Sequence, residues 1–310
     1  MQLETLMSAQ IGQSVRDDRE NMVFDMIIVG AGPSGLSCAI RMQQLAQEKG
    51  KELNLCVIEK GSEVGAHLLS GAVFETKALD ELIPDWKDQG APLTCEATSD
   101  SFYFMSEKKA YPMPTPPAMH NKGNYIISLG VFGKWLAQYA ENLGIQIFPG
   151  FAASEILYDD HDNVIGVATG DMGLQKDGAQ GPLYQAGYEL HARLTVFAEG
   201  CHGSLTKQLI NKFNLRADSC PQTYALGVKE VWEIKPEQHK KGWCMHSLGW
   251  PLDKQTYGGS WMYHMEDNLV SLGFVVGLDY KNPYLSPFEE MQRFKTHPLL
   301  KKMLDGGRRV

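Results

Sequence analysis

The segment Gly30-Ala31-Gly32-Pro33-Ser34-Gly35 limits this chain more than any other feature. Its G-x-G-x-x-G spacing follows at once on the apolar run Phe24 to Val29. It opens the stretch Ser34 to Lys49, in which Leu36, Ala39 and Ile40 stand three and four residues apart, as on one face of a helix. Gly50 is placed to stop that helix. Asn54 to Ile58 is a second apolar run, so the order is strand, turn, helix, strand: one βαβ unit.

The glycines have distinct physical tasks in such a unit. Gly30 permits the tight turn, Gly32 lets backbone N–H groups come close to a diphosphate, and Gly35 lets the helix pack against the strand. The positive end of the helix dipole then faces the phosphates, with Pro33 and Ser34 in its first turn. Glu59 closes the second strand, where an acid accepts from a ribose diol and repels a 2′-phosphate, which disfavours NADP. The fingerprint alone does not separate FAD from NAD. Two later segments point to FAD. Val164 to Thr169 resembles the hydrophobic-Gly-Val-x-Thr strand of flavoprotein oxidoreductases, and Leu194 to Gly200, ending Ala198-Glu199-Gly200, resembles the strand by which their chain returns to the nucleotide sheet.

Elsewhere the pattern predicts short strands at Ile145 to Phe148, Ala153 to Tyr158, Val164 to Thr169 and Tyr188 to Ala198. A helix is expected to run from Ser128 to Leu143, with Ser128 as its cap. Tyr111 to Met119, rich in proline and methionine, reads as an extended loop. After Ala217 the runs Tyr224 to Ile234, Trp243 to Trp250, Gly259 to His264 and Leu269 to Val276 read as an antiparallel sheet. Ser286-Pro287-Phe288-Glu289 is a helix start, with Ser as cap and Glu three residues on.

Composition serves to exclude. The formal net charge of −8, with no basic stripe, argues against nucleic acid as a partner. The six cysteines form no C-x-x-C pair, so no zinc or iron–sulfur site is written here, and reduced thiols are expected. No apolar stretch is long enough for a transmembrane helix. His67, His120, His202 and His264 show no metal spacing and read as structural. No Ser/His/Asp arrangement is legible, so no catalytic acid or base is assigned.

Longer strings carry a specific likeness. Glu59-Lys60-Gly61 through Gly65-Ala66-His67-Leu68-Leu69-Ser70-Gly71-Ala72, Leu82-Ile83-Pro84-Asp85-Trp86, Met119 to Tyr125, Gly249 to Asp253, Thr256-Tyr257-Gly258-Gly259-Ser260 and Gly273 to Phe288 resemble the electron-transfer flavoprotein:ubiquinone oxidoreductases. The likeness runs from about Phe24 to the last residue. It implies FAD, held by Gly30, Gly32, Pro33, Ser34, Gly35, Glu59, Lys60, Ser70, Gly71, Glu199 and Gly200. It also implies a four-iron iron–sulfur cluster whose ligands this sequence lacks, electron-transfer flavoprotein as donor and ubiquinone as acceptor. Tyr257, Gly258 and Gly259 match the family's quinone-head contact. Without that match, the glycine pair reads as a strand start or bulge. The family dips into one leaflet without spanning it. Val64 to Asp85 corresponds to its membrane-contacting region, and the loop from Tyr111 to Met119 is a second candidate contact. Location at the cytoplasmic face of a bacterial inner membrane, or the matrix face of the mitochondrial one, follows from the resemblance.

The expected fold is an α/β, Rossmann-like FAD-binding domain interleaved with a mostly antiparallel quinone-binding domain. The expected division is a disordered tail over 1–22, nucleotide segments over 22–92 and 131–216, an insertion over 93–130 and an incomplete quinone-binding domain over 217–310. The ending at Arg308-Arg309-Val310, without the cysteine cluster or a later flavin-binding strand, reads as truncation. Two other readings stay open: another FAD-dependent oxidoreductase, such as a monooxygenase or a geranylgeranyl-reductase-like enzyme, and an inactive fragment with an empty cofactor site.

Overall fold

A computed structural model of the chain describes residues 16, 18–69 and 71–310. The chain divides into two compact units, 1–68 with 130–219 and 69–129 with 220–310, so each is built from two separate stretches. The first opens with β1 (Glu20–Val29), α1 (Pro33–Glu48) and β2 (Leu55–Glu59). The chain then builds part of the second: β3 (Ala72–Phe74), α2 (Lys77–Leu82), β4 (Cys95–Glu96), β5 (Ser99–Met105), β6 (Ala110–Met113) and β7 (Tyr125–Ile127). It returns through α3 (Leu129–Asn142), β8 (Gln146–Pro149), β9 (Ala153–Tyr158), β10 (Val164–Thr169), β11 (Met172–Leu174), β12 (Gln180–Gln185), β13 (Tyr188–Phe197) and α4 (Ser204–Lys212). The second unit is completed by β14 (Ala225–Glu233), β15 (Trp243–Gly249), β16 (Gly258–His264), β17 (Leu269–Gly277), α5 (Pro287–Lys295), α6 (Pro298–Leu304) and β18 (Arg308–Arg309).

The first unit is a six-stranded sheet in the order β8-β2-β1-β13-β10-β9. β1, β2, β13 and β8 run parallel, and β10 and β9 are antiparallel additions at one side. A central parallel strand is buried on both faces, which is why Ile27 and Ile28 are consecutive apolar residues and both fully buried. Burying each contributes about 1.5–3 kcal/mol. α1 starts on Pro33, buries Gly35, Leu36, Ala39 and Ile40 along one stripe, and ends in a Schellman motif. There Gly50 takes φ +60°, its N–H donates to the Gln47 carbonyl, and the Lys51 N–H donates to that of Ala46.

The second unit carries a seven-stranded sheet, β18-β14-β17-β16-β15-β5-β6, and a small three-stranded sheet, β3-β7-β4. α5 and α6 cover one face of the large sheet, packing Met291, Phe294, Leu300 and Leu304 on Met245, Met262, Leu272 and Phe274. α5 begins as its sequence requires: the Ser286 hydroxyl accepts from the Glu289 N–H. The two architectures are the interleaved α/β and mostly antiparallel folds expected from sequence, with one parallel pair, β15–β5.

Three expectations need correction. The tail does not run to residue 22. β1 begins at Glu20, its first half pairs with β13, and the buried Arg19 guanidinium donates to both oxygens of Glu155. Residues 1–15 and 17 of that tail lie outside the described residues. Tyr111 to Met119 is not one loop: Ala110–Met113 is β6, and Pro112 is tolerated because β6 is the sheet's edge strand. The first nucleotide segment does not reach 92. The chain passes to the second unit at Leu69, because β3 finds its partner in β7.

Candidate functional site

In the first unit the carboxyl ends of β1, β2 and β13 lie side by side, with Val29 level with Ile58 on one flank and Phe197 on the other. β1 leads outwards to β2 and β8 on one side, and the chain later fills β13, β10 and β9 on the other. That reversal of strand order is a switch point, where open α/β sheets place ligands. The Gly30 N–H donates to the Ile58 carbonyl at 2.8 Å, and the Ala198 N–H to that of Val29 at 2.8 Å. Gly30 has φ +107°, and a Cβ there would stand 2.5 Å from the Ala198 carbonyl oxygen. A Cβ on Gly35 would fall inside the Gly30 carbonyl. Gly32 differs: a Cβ there would meet nothing within 4 Å. No side chain caps the first turn of α1 and no acid stands in it, so its N–H groups and dipole are available to an anion. The cradle fits a diphosphate.

Glu59 closes this site from β2. One carboxylate oxygen accepts from the Ala31 N–H at 3.0 Å and the other from the Gly61 N–H at 2.7 Å. Each carboxylate oxygen has a second acceptor direction, so the residue remains able to accept from a ribose diol. Lys60 beside it is exposed. Ser34 stands at the second position of α1.

Glu199 is occupied within its own segment. Its carboxylate accepts from the Leu205 N–H at 3.2 Å and from the Thr206 N–H and hydroxyl, both at 2.7 Å. This caps α4 with a negative charge at its positive end. Gly200 follows at φ +79°, with open space around its Cβ direction. The motif residues at 30–35, 59, 199 and 200 therefore meet at one edge of one sheet.

The remaining sequence-predicted residues belong to the second unit, except Ser70, which lies outside the described residues. Gly71 has φ +110°, and a Cβ there would approach Ser271 Oγ at 3.0 Å, Trp261 Nε1 at 3.4 Å and Lys229 Cδ at 3.4 Å. Tyr257 is 76% exposed. Gly258 and Gly259 open β16. A Cβ on Gly258 would overlap the Val275 carbonyl and one on Gly259 would stand 2.8 Å from the Ser247 carbonyl oxygen, so sheet packing alone requires both glycines. On this sheet face Leu248 pairs with Phe104 and Gly259 with Val275, and Phe104 and Leu248 are 45% and 44% exposed.

Sequence reasoning passed over Lys229, Trp261 and Ser271. Trp261 Nε1 and Ser271 Oγ are buried with no hydrogen-bond partner among the described residues. Lys229 is half-buried, and burial lowers its pKa from the usual lysine value. Their only sequence signal is polar residues at alternate positions of apolar strands. His264, by contrast, is the structural residue expected: fully buried, its Nδ1 accepts from the Lys240 N–H and its ring lies against Trp243.

Residues 28–83 match the family model described as an NAD(P)-binding Rossmann-like domain, and residues 224–310 match the one described as ETF-QO, ubiquinone-binding. The chain is 58% identical over 289 residues to the mitochondrial electron transfer flavoprotein-ubiquinone oxidoreductase of Dictyostelium discoideum, covering 93% of this chain and 48% of that protein. It is 53% identical over 298 residues to the electron transfer flavoprotein-ubiquinone oxidoreductase of Pseudomonas aeruginosa, covering 94% of this chain and 54% of that one. The chain thus spans about half the length of these relatives. Among solved structures, a geranylgeranyl bacteriochlorophyll reductase-like protein from Thermoplasma acidophilum aligns with a TM-score of 0.68 at 16% identity, over 94% of this chain and 65% of that one, which is a likeness of fold.

Proposed function

By sequence this chain belongs to the electron transfer flavoprotein–ubiquinone oxidoreductase family, and on that premise we propose that it binds FAD and serves electron transfer from reduced electron-transfer flavoprotein to ubiquinone. The observation that carries the reading is the uncapped first turn of α1 beside the open Gly32. In this reading the Gly32, Ser34 and Gly35 backbone holds the FAD diphosphate, Pro33 presets the turn and Glu59 holds the adenosine ribose. Lys60, Ser70, Gly71, Glu199 and Gly200 belong to the same cofactor-binding set, Glu199 by fixing the strand end and α4 rather than through a free carboxylate. FAD, when bound, supplies the electron storage; the chain supplies position and electrostatics, and no side chain is assigned as acid or base.

Tyr257, Gly258 and Gly259 are proposed to border the ubiquinone ring, on a face whose exposed Phe104 and Leu248 suit an apolar ligand. A four-iron cluster does not fit this chain: among the described residues no three His, Cys, Asp or Glu side chains are grouped to hold a metal, and no step is assigned to one. Contact with one membrane leaflet, at the bacterial cytoplasmic face or the mitochondrial matrix face, completes the proposal. Exposed Leu69, Tyr111, Met113 and Met119 support such contact. Among the described residues no helix is long and apolar enough to cross a membrane.

The test is a titration of the purified chain with FAD, followed by absorbance, for wild type and Gly32→Val. Gly32 has φ −75° and ψ 175°, which any residue adopts, so the substitution leaves the fold intact. Its methyl groups stand where the phosphates would approach, and affinity should fall at least about 100-fold with an unchanged melting temperature. Equal affinity in the two proteins would refute the cradle.

A further inference from the structure

Alternation along the strands of the large sheet sorts its side chains into two faces. Met245, Met262, Leu272 and Phe274 meet α5 and α6. Trp261, Gly273 and Lys229, paired across β16, β17 and β14, stand on the other face, with Ser271 two residues before Gly273. A Cβ on Gly273 would fall inside the Trp261 ring, so the indole lies flat on β17 only because that position is glycine. Ser271, Trp261 and Lys229 then converge on the side of Gly71 where a side chain would stand.

This group has an unusual balance. Ser271 is 1% exposed and its hydroxyl has no partner among the described residues; nor has the buried Trp261 Nε1. Two buried polar groups left unmatched side by side are costly in a folded core unless something answers them. Trp261 and Lys229 can only donate, and Ser271 can donate. The neighbouring acid on β14, Glu230, points to the other face, where it accepts from Lys295 and Trp232. What is missing is an acceptor, and a negative one suits the ammonium. Nearby, Val275, Leu248 and Phe104 form an apolar row, which favours a ring over a strongly hydrated inorganic anion.

We propose that Lys229, Trp261 and Ser271 form a donor site for the carbonyl oxygen of a redox-active ring, an oxygen that gains negative charge when the ring is reduced. The proposal rests on the functional reading above. The ring is the quinone, whose proposed contact at Tyr257, Gly258 and Gly259 belongs to the same unit, and FAD serves as the control ligand.

The experiment uses the purified chain and three variants, Lys229→Met, Ser271→Ala and Trp261→Phe. Dissociation constants for FAD, oxidised and reduced, are measured by flavin fluorescence and absorbance. Those for a short-tailed ubiquinone and its quinol are measured by protein fluorescence. Melting temperatures and near-UV circular dichroism report the fold. Lys229→Met should weaken ubiquinone about tenfold, and the reduced form more than the oxidised form, because a charge-assisted bond is lost. Ser271→Ala and Trp261→Phe should weaken the same ring severalfold. Weakening of ubiquinone alone supports the site, and weakening of FAD alone overturns it. Affinities within twofold of wild type in all three variants overturn the proposal and point to a buried water. So does equal weakening of both rings with a lowered melting temperature, which marks a packing role. A wild-type chain that binds neither ring overturns the functional reading together with the site, whereas unaffected variants of a ring-binding chain overturn the site alone.

Discussion

The Glu59 carboxylate accepts a hydrogen bond from the backbone N–H of Ala31 at 3.0 Å, so the acid that ends β2 is tied to the glycine turn that ends β1. Its second oxygen holds the Gly61 N–H. A single side chain thus fixes two loops at the edge where a dinucleotide would bind. Glu59→Gln keeps the shape but replaces one acceptor oxygen by an NH₂ group facing an N–H. Chemical denaturation should show a loss of about 1–2 kcal/mol. FAD affinity should drop by about tenfold, since the turn loosens and a ribose acceptor weakens. An affinity loss without a stability loss would mean that Glu59 acts on the ligand alone.

Glu199 should behave differently. Its carboxylate is spent on three donors in the first turn of α4. Removing a helix-capping acceptor costs about 1–2 kcal/mol. Glu199→Ala should therefore lower the denaturation midpoint, and Glu199→Asp, one methylene shorter, should restore part of it. The FAD affinity measured on protein that remains folded should change less than in Glu59→Gln. A larger affinity loss than in Glu59→Gln would place the carboxylate on the ligand.

What was legible in the sequence is what is encoded locally. The glycine turn, α1 and its Gly50 stop and the Ser286 cap all depend on residues within one or two turns of each other, and Glu59 is marked by its place at the end of the next apolar run. The site residues that escaped are joined across strands. Lys229, Trp261 and Ser271 meet because β14, β17 and β16 pair in one register, and no local pattern fixes that register. The same holds for β5, which comes from the inserted stretch yet pairs in parallel with β15. The passage between units at Leu69 escaped because β3 has only three residues and is a strand by virtue of β7. Arg19 reads as part of a polar tail until Glu155, far along the chain, supplies its partner.

The glycine pair at the start of β16 needs a test that separates packing from contact with a ligand. Gly259→Ala places a methyl group 2.8 Å from the Ser247 carbonyl oxygen, and Gly258→Ala overlaps Val275. Both should destabilise the second unit by about 1–3 kcal/mol whatever binds there. Loss of quinone affinity in either variant is therefore uninformative by itself. Tyr257 is the better probe, because it is largely exposed. Tyr257→Ala should leave the melting temperature within a degree or two and weaken binding of a short-tailed ubiquinone about tenfold. Unchanged binding would remove Tyr257 from the quinone contact.

His264 makes the fold sensitive to mild acid. Its ring is fully buried against Trp243 and His239, and burial first, then the neighbouring His239 and Lys240, lowers its pKa to about 3. In the unfolded chain the same imidazole titrates near 6.5. As pH falls through 6.5 the unfolded chain takes up a proton that the folded chain refuses, so stability falls with pH, and the loss continues until the folded ring itself titrates near 3. The slope from this residue is up to about 1.4 kcal/mol per pH unit. Urea denaturation between pH 7 and pH 5, above the range of ordinary carboxylates, reads it together with His246, whose pKa burial also lowers. His264→Gln can still accept from the Lys240 N–H but binds no proton, so its midpoint should decline less steeply over that range than the wild-type midpoint, His246 carrying the remainder. Parallel declines in the two proteins would show that another group carries the acid sensitivity.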